Sequence, residues 1–204
     1  MYLTIQGIVL RVTDYNDKDA LLTMLTRRHG RLTVKARGLR RKNSPLIAPC
    51  QLLAYGEFTL FEYRGQYTIN EAQSIELFTP LRRDLTKLSL GTYFAQVSEV
   101  LSQEDMPNPE LQSLLLNCLY ALDTLDKPLE QVKAVFQLRL LTLTGLAPLL
   151  DTCVVCGNPQ PAEPRLHLLQ GVLHCAACRT QVGDGVSMPL SPAALAAARY
   201  IVAG

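Results

Sequence analysis

The chain has 204 residues, of which 48% are hydrophobic and 19% charged, and its formal net charge at pH 7 is +2. This balance is typical of a globular protein with a buried core, and it excludes a disordered or fibrous chain. No run approaches the roughly 20 apolar residues that cross a membrane, and the first residues lack the basic segment and cleavage site of a secreted protein. We therefore expect a cytoplasmic protein.

The first part of the chain predicts five short strands, expected at residues 3–12, 20–26, 31–37, 51–63 and 67–72. In the first strand most apolar residues occupy odd positions before Gly7 and even positions after it. This change predicts a bulge or sharp bend at Gly7. Five strands separated by turns fit a Greek-key barrel of the OB type, which binds single strands on the face formed by strands 2 and 3.

Residues 27–42, named here the basic segment, hold eight of the twenty basic residues and no acid. Within it, Leu32, Val34 and Ala36 alternate with polar residues, which predicts a strand whose outer face is a row of cations about 6.6 Å apart. Such a row suits a polyanion, whereas a solvated face without a ligand is the alternative. The candidate DNA-binding residues are Arg31, Lys35, Arg37, Arg40, Arg41 and Lys42.

Eight of the thirteen aromatic residues lie within the first 78 residues. We expect most of them to pack in the core or across strands. Tyr15, in the turn after the first strand, is the better candidate for stacking on a base.

After Pro80 the apolar period changes to that of helices. Apolar residues at helical spacing over 90–101 and 111–125 predict two helices, the second beginning at Pro109, and a third is predicted from Pro128 to Thr144. The third helix becomes apolar on nearly every side after Val135, so we expect it to be the buried member of a bundle. An alanine-rich helix closes the chain.

Four cysteines carry the most specific motif of the sequence. Cys153, Cys156, Cys175 and Cys178 follow the spacing C-x2-C-x18-C-x2-C, which suits two knuckles that bind one tetrahedral Zn²⁺. Four thiolates leave no open coordination position, so we expect a structural ion. His174 beside Cys175 is an alternative ligand, and Cys50 and Cys118 are interpreted as packing residues.

No catalytic motif accompanies these cysteines. The chain lacks a phosphate-binding glycine loop, a G-x-S-x-G elbow, an H-E-x-x-H pair and the H-x-E of a zinc deaminase. We therefore expect a protein that is not an enzyme.

Two motifs carry a family resemblance: HG-x-L-x-V-x-ARG at residues 29–38, and the join of RLL-x-LTG-x-APLLD to CVVCG at residues 139–157. The stretches QLLAYGEF and RRDLTKL extend it over essentially the whole chain. On these motifs the sequence resembles the bacterial recombination mediator RecO. The family usually continues through further basic helices, so we expect a C-terminal part of its DNA surface to be absent here.

The resemblance implies an α+β multidomain protein with three parts: an OB-fold at 1–80, a helical domain at 81–150 on which the helix at 191–204 packs, and a four-cysteine zinc-ribbon-like module at 151–185. It also implies binding of single- and double-stranded DNA, annealing of single strands, and work with RecR and single-stranded-DNA-binding protein to load RecA in RecF-type repair. On this resemblance the positions expected to contact DNA are those of Lys35, Arg37, Arg40, Arg41 and Lys42, and a nucleoid-associated location is implied. The alternative is a zinc-stabilised protein-interaction adaptor on which the basic patch is incidental.

Overall fold

A computed structural model describes the whole chain, residues 1–204. Its N-terminal strands form a closed barrel in the order β1-β2-β3-β5-β4, in which neighbours are antiparallel except β3 and β5, which are parallel. This topology confirms the predicted OB-type barrel. The strands are β1 (Tyr2–Asp14), β2 (Ala20–Thr26), β3 (Gly30–Ala36), β4 (Tyr55–Tyr63) and β5 (Gln66–Glu76).

Strand β3 has the alternation that the sequence predicts. Leu32, Val34 and Ala36 are buried in the barrel core, whereas Thr33 is exposed and Lys35 is half-buried. The basic side chains of β3 therefore project from the outer surface of the barrel.

The bulge predicted at Gly7 is wrong. Gly7 pairs in register with both neighbours of β1, and the register shift lies between Val9 and Arg11. Both Val9 and Leu10 are buried, because helix α2 (Leu85–Leu101) packs on β1 from outside the barrel. The change of apolar parity that we assigned to Gly7 thus comes from a strand covered on both faces.

Three further helices belong to the central part of the chain: α1 (Thr79–Arg83), α3 (Pro109–Thr124) and α4 (Leu129–Leu143). The side chain of Asp84 accepts hydrogen bonds from backbone amides in the first turn of α2. The side chain of Asn108 accepts one from the first turn of α3, which begins at Pro109 as predicted. None of the helices in the chain is both long and apolar enough to span a membrane.

The prediction that α4 is the buried member of a helical bundle is wrong. Only Val132, Phe136 and Leu140, spaced by four residues, are buried. Val135 and Leu141 are 37% and 38% exposed. The helix therefore buries a single stripe, although its sequence is apolar around most of its circumference.

The chain divides into two compact units, residues 1–133 and 134–204. The second unit contains a small antiparallel sheet of order β7-β6-β8, formed by β6 (Pro164–His167), β7 (Val172–Cys175) and β8 (Ser187–Pro189). The chain then ends in helix α5 (Pro192–Ala203).

Helix α5 packs against the sheet of its own unit. Leu195 joins Leu150 and Leu173 in a small core. The guanidinium of Arg199 donates to the carbonyl of Leu150 at 2.8 Å and to two further carbonyls in the segment around the first cysteine pair. Arg139 of α4 also donates to a carbonyl in the last turn of α5, at 3.1 Å. These bonds fix the segment that leads into the cysteine cluster.

Candidate metal centre and nucleic-acid surface

The four cysteines predicted to bind zinc converge in the second unit. Cys175 ends β7, and the turn from Cys153 to Cys156 is closed by the amide of Gly157, which donates to the Cys153 carbonyl at 2.8 Å. All four sulfur atoms, including that of Cys178, lie within 4.8 Å of one another, and the Sγ atoms of Cys156 and Cys175 are 3.6 Å apart. A tetrahedral site with Zn–S bonds of about 2.3 Å needs sulfurs about 3.8 Å apart. The cluster therefore fits one tetrahedral metal ion.

The electrostatics of the cluster also suit a cation. Burial alone would raise the pKa of Cys153, but backbone amides at Cys156, Cys175 and Val155 donate to its sulfur and bring the pKa down to about 6. Burial, reinforced by the neighbouring thiols, raises the pKa of Cys175 to about 12. The first thiolate thus disfavours deprotonation of the neighbouring thiols, and the charge of a bound cation removes this repulsion.

His174 is engaged elsewhere and does not join the cluster. Its ring is fully buried; Nδ1 lies 2.8 Å from the carbonyl of Cys175, and Nε2 lies 2.8 Å from the hydroxyl of Ser187. Because a carbonyl only accepts, Nδ1 carries a proton and donates to it. Cys50 and Cys118 are buried away from the cluster, and burial raises the pKa of each to about 12.

Arg31, predicted to contact DNA, is bonded to the protein itself. Its guanidinium donates to the carbonyl of Glu99 at 3.2 Å, near the C-terminal end of α2, and its backbone amide donates to Gln103 at 2.9 Å. Arg11 forms an ion pair with the Glu99 carboxylate at 2.8 Å. The outer surface of β3 around Arg31 is therefore covered by residues 99–104.

Lys35 and Arg40 have local carboxylate partners. The ammonium of Lys35 lies 3.4 Å from Asp19 and 4.4 Å from the ring centre of Tyr15. Arg40 pairs with Asp14 at 3.3 Å and donates to a backbone carbonyl in the turn between β1 and β2. These contacts attach that turn to the end of β3.

The remaining predicted residues, Arg37, Arg41 and Lys42, are exposed and form no ion pair with a carboxylate. All three lie in the turn segment that directly follows β3. Tyr15, the predicted stacking residue, is 56% exposed, and its ring contacts the ammonium of Lys35. Of the six predicted DNA-binding residues, three thus remain available to an anionic ligand without breaking an ion pair.

Sequence reasoning missed three exposed aromatic residues on the barrel. Tyr2 is 62% exposed, Phe61 41% and Tyr63 59%, whereas Phe58 and Leu60 on the same strand as Phe61 are fully buried. The alternation of β4 contained the signal, because residues of odd number in this stretch project outward when Phe58 and Leu60 project inward.

Comparison with known proteins identifies the family. Residues 1–78 match the family model described as Recombination protein O N terminal, and residues 82–204 match the one described as Recombination protein O C terminal. The chain is 32% identical over 201 residues to the DNA repair protein RecO of Acetivibrio thermocellus, covering 98% of this chain and 79% of that protein. It is also 32% identical over 203 residues to DNA repair protein RecO of Alkaliphilus metalliredigens, covering 100% of this chain and 82% of the relative. The chain belongs to the RecO family of DNA repair proteins.

Proposed function

We propose that the protein binds single- and double-stranded DNA through the backbone phosphates and anneals single strands during recombinational repair. The observation that carries this proposal is the group of exposed cations without a carboxylate partner at the end of β3: Arg37, Arg41 and Lys42. Lysine and arginine side chains that neutralise phosphates supply most of the affinity of sequence-independent DNA binding.

The salt dependence of binding tests the proposal. If each of the three free cations neutralises one phosphate, the logarithm of the binding constant falls with the logarithm of salt concentration with a slope of about −2 for a single strand. The measurement is fluorescence anisotropy of a labelled single-stranded oligonucleotide at several salt concentrations. A slope near zero contradicts phosphate binding.

Charge reversal locates the surface. We expect Arg37→Glu with Arg41→Glu to weaken binding to all sequences similarly and to slow strand annealing, because phosphate contacts carry no base information. Lys127→Glu is the matched control, since Lys127 is an exposed cation distant in sequence from the basic segment. Intact DNA binding in the double variant, together with intact repair, would favour a protein-interaction adaptor.

The mediator role is proposed from family membership. We propose that the protein acts with RecR and single-stranded-DNA-binding protein to load RecA in RecF-type repair, without catalysing a reaction, in the cytoplasm at the nucleoid. Reconstituted RecA loading onto coated DNA, with and without RecR, measures this role. Undiminished loading by the Arg37 and Arg41 double variant would separate the mediator role from the basic surface.

We propose that the metal ion is Zn²⁺ and that its role is structural. Four cysteine ligands close the coordination shell, so the ion supplies cohesion to the unit of residues 134–204 and no bound water for chemistry. Metal analysis of the purified protein tests the identity and stoichiometry of the ion.

A further inference from the structure

The register of the barrel aligns four residues across four strands. Lys35 of β3 is paired with Thr68 of β5, Thr68 with Phe61 of β4, and Phe61 with Tyr2 of β1. Directly paired residues in adjacent strands project from the same face of the sheet. Since Val34 beside Lys35 is in the barrel core, the aligned residues lie on the outer surface. Three strand spacings separate Lys35 from Tyr2, about 14 Å.

The end of this alignment is an exposed aromatic surface, named here the aromatic row: Tyr2, Phe61 and Tyr63. The rings of Tyr2 and Phe61 have centroids 5.4 Å apart and are tilted by 56°. Tyr63 lies two residues beyond Phe61, hence on the same face, and the guanidinium of Arg64 lies 5.2 Å from its ring centre. Aromatic rings interleaved with cations are the surface that single-stranded nucleic acids bind, because bases stack on rings while phosphates pair with cations.

The hairpin that carries Arg64 supports a role for this cation. Arg64 and Gly65 form the two-residue loop between β4 and β5, and both have positive φ, 52° and 74°. Such loops strongly favour asparagine or aspartate followed by glycine, since the left-handed conformation is strained for most other residues. The chain nevertheless places a cation at this tip.

The distribution of acids gives the surface a direction. The amino group of Met1 donates to the carbonyl of Glu62 at 3.0 Å, beside the aromatic row. The outward carboxylates of this face lie on the side of Phe61 that is away from the hairpin: Glu71 is paired with Thr59, two residues before Phe61, and Glu57 is paired with Gln73. The Glu62 carboxylate accepts the amide of Gly65 at 3.0 Å.

We propose that the aromatic row is a base-stacking platform for single-stranded nucleic acid. The strand would run from the exposed cations at the end of β3, across β5, to the aromatic row, with Arg64 pairing a phosphate there. This inference rests on the proposed DNA-binding function and specifies the surface by which bases are held. It directs the strand across β3, β5, β4 and β1, away from the part of β3 around Arg31 that is covered by residues 99–104.

Comparing normal and base-free strands tests stacking separately from phosphate binding. The ligands are an oligothymidine of about 16 nucleotides and an abasic strand of the same length and charge. We expect wild-type protein to bind oligothymidine at least about fivefold more tightly than the abasic strand. The double variant Tyr2→Ala with Tyr63→Ala should lose most of this preference, because only the Phe61 ring of the row remains, and the salt slope set by side-chain cations should not change.

Two further variants keep the test decisive. Phe61→Leu retains an apolar side chain and removes the ring, so it should lose part of the preference for bases even if the alanine variants are unstable. Tyr120→Ala is the control, because Tyr120 on α3 is 55% exposed and outside the row. Equal binding of both strands by the wild type, or an unchanged preference in the row variants, overturns the inference, including the case in which a protein partner covers the row. Absence of binding to either strand refutes the proposed function instead.

Discussion

The carboxylate of Asp19 lies 3.4 Å from the ammonium group of Lys35. Its other oxygen accepts the backbone amide of Gly38 at 2.8 Å, and Asn16 donates to the carboxylate at 3.1 Å. Asp19 thus connects the turn between β1 and β2 to Lys35, the last outward cation of β3, and to Gly38 in the part of the basic segment that follows β3. It also competes with any phosphate for Lys35.

Replacing Asp19 by asparagine should free Lys35. The amide oxygen of Asp19→Asn can still accept from Gly38, whereas the ion pair is lost. We expect the salt slope for single-stranded DNA to steepen by about 0.7, the contribution of one additional phosphate contact. Asp17→Asn is the control, because Asp17 is exposed and has no ion pair. An unchanged slope for Asp19→Asn would show that Lys35 does not contact phosphate.

The same carboxylate predicts a dependence of stability on pH. The pKa of Asp19 is lowered, first by the hydrogen bond from the Gly38 amide and then by Asn16. A lowered pKa in the folded state gives stability that is present above the unfolded value of about 3.9 and is lost as the pH falls through the folded value. The melting temperature of the wild type should therefore exceed that of Asp19→Asn at neutral pH, and the difference should shrink below about pH 4. A constant difference would contradict this assignment.

Arg31 and Arg37 should respond differently to substitution by glutamine. Arg31→Gln removes the bond to the Glu99 carbonyl at the end of α2, so the free energy of unfolding should fall by about 1 kcal/mol. Arg37→Gln should leave stability unchanged and weaken DNA binding, since Arg37 is exposed and unpaired. Urea unfolding and DNA titration of both variants provide the measurements. Stability loss in Arg37→Gln alone would reverse the two roles.

Gly30 should tolerate no side chain. It has φ of +61°, and a Cβ atom there would clash with the carbonyl oxygens of Gln103 and Met106. We expect Gly30→Ala to lower the free energy of unfolding by about 3 kcal/mol or more, because backbone must move. Gly65→Ala is the control: its φ is +74° but nothing lies within 4 Å of the added atom. Its cost should be about 1 kcal/mol, from conformational strain alone, and equal losses would argue against the clash.

Loss of one cysteine of the cluster should release the metal. We expect Cys178→Ser to lower the metal content from one ion per chain and to reduce the melting temperature, as a strong chelator does with the wild type. Cys118→Ala, which removes a buried thiol outside the cluster, should retain the ion. The metal-free protein should still bind DNA if the ion is only structural. Full metal retention in Cys178→Ser would exclude a four-cysteine site.

The barrel and the cysteine cluster could be predicted because local patterns specify them. Strand β2 begins and ends where the sequence predicted, and β3 has the predicted alternation, since inward and outward positions differ sharply in polarity. Pro109 begins α3 because its missing amide and fixed φ suit a first turn. The cysteine spacing predicted the convergence of four sulfurs for a similarly local reason.

Other features depend on which elements meet, and local patterns do not contain that information. Because α2 covers β1, apolar residues occur on both faces of this strand, and their pattern does not indicate the register shift between Val9 and Arg11. The partners of Arg31 and Lys35 come from residues far along the chain or across a loop, so composition suggested a row of free cations where several are paired. An apolar run in α4 predicted burial, but Val135 remains partly exposed because the helix buries only one stripe.

The β3 and β5 strands, which close the barrel, are joined by only two residue pairs, Val34 with Tyr67 and Lys35 with Thr68. Short pairings open more readily than long ones, so this junction is where amide exchange with solvent should be fastest within the barrel. A nucleic-acid strand that spans from Lys35 to the aromatic row would hold both sides of the junction together. DNA binding would then stabilise the pairing of β3 with β5, and a closed barrel would in turn bind DNA more tightly than an opened one.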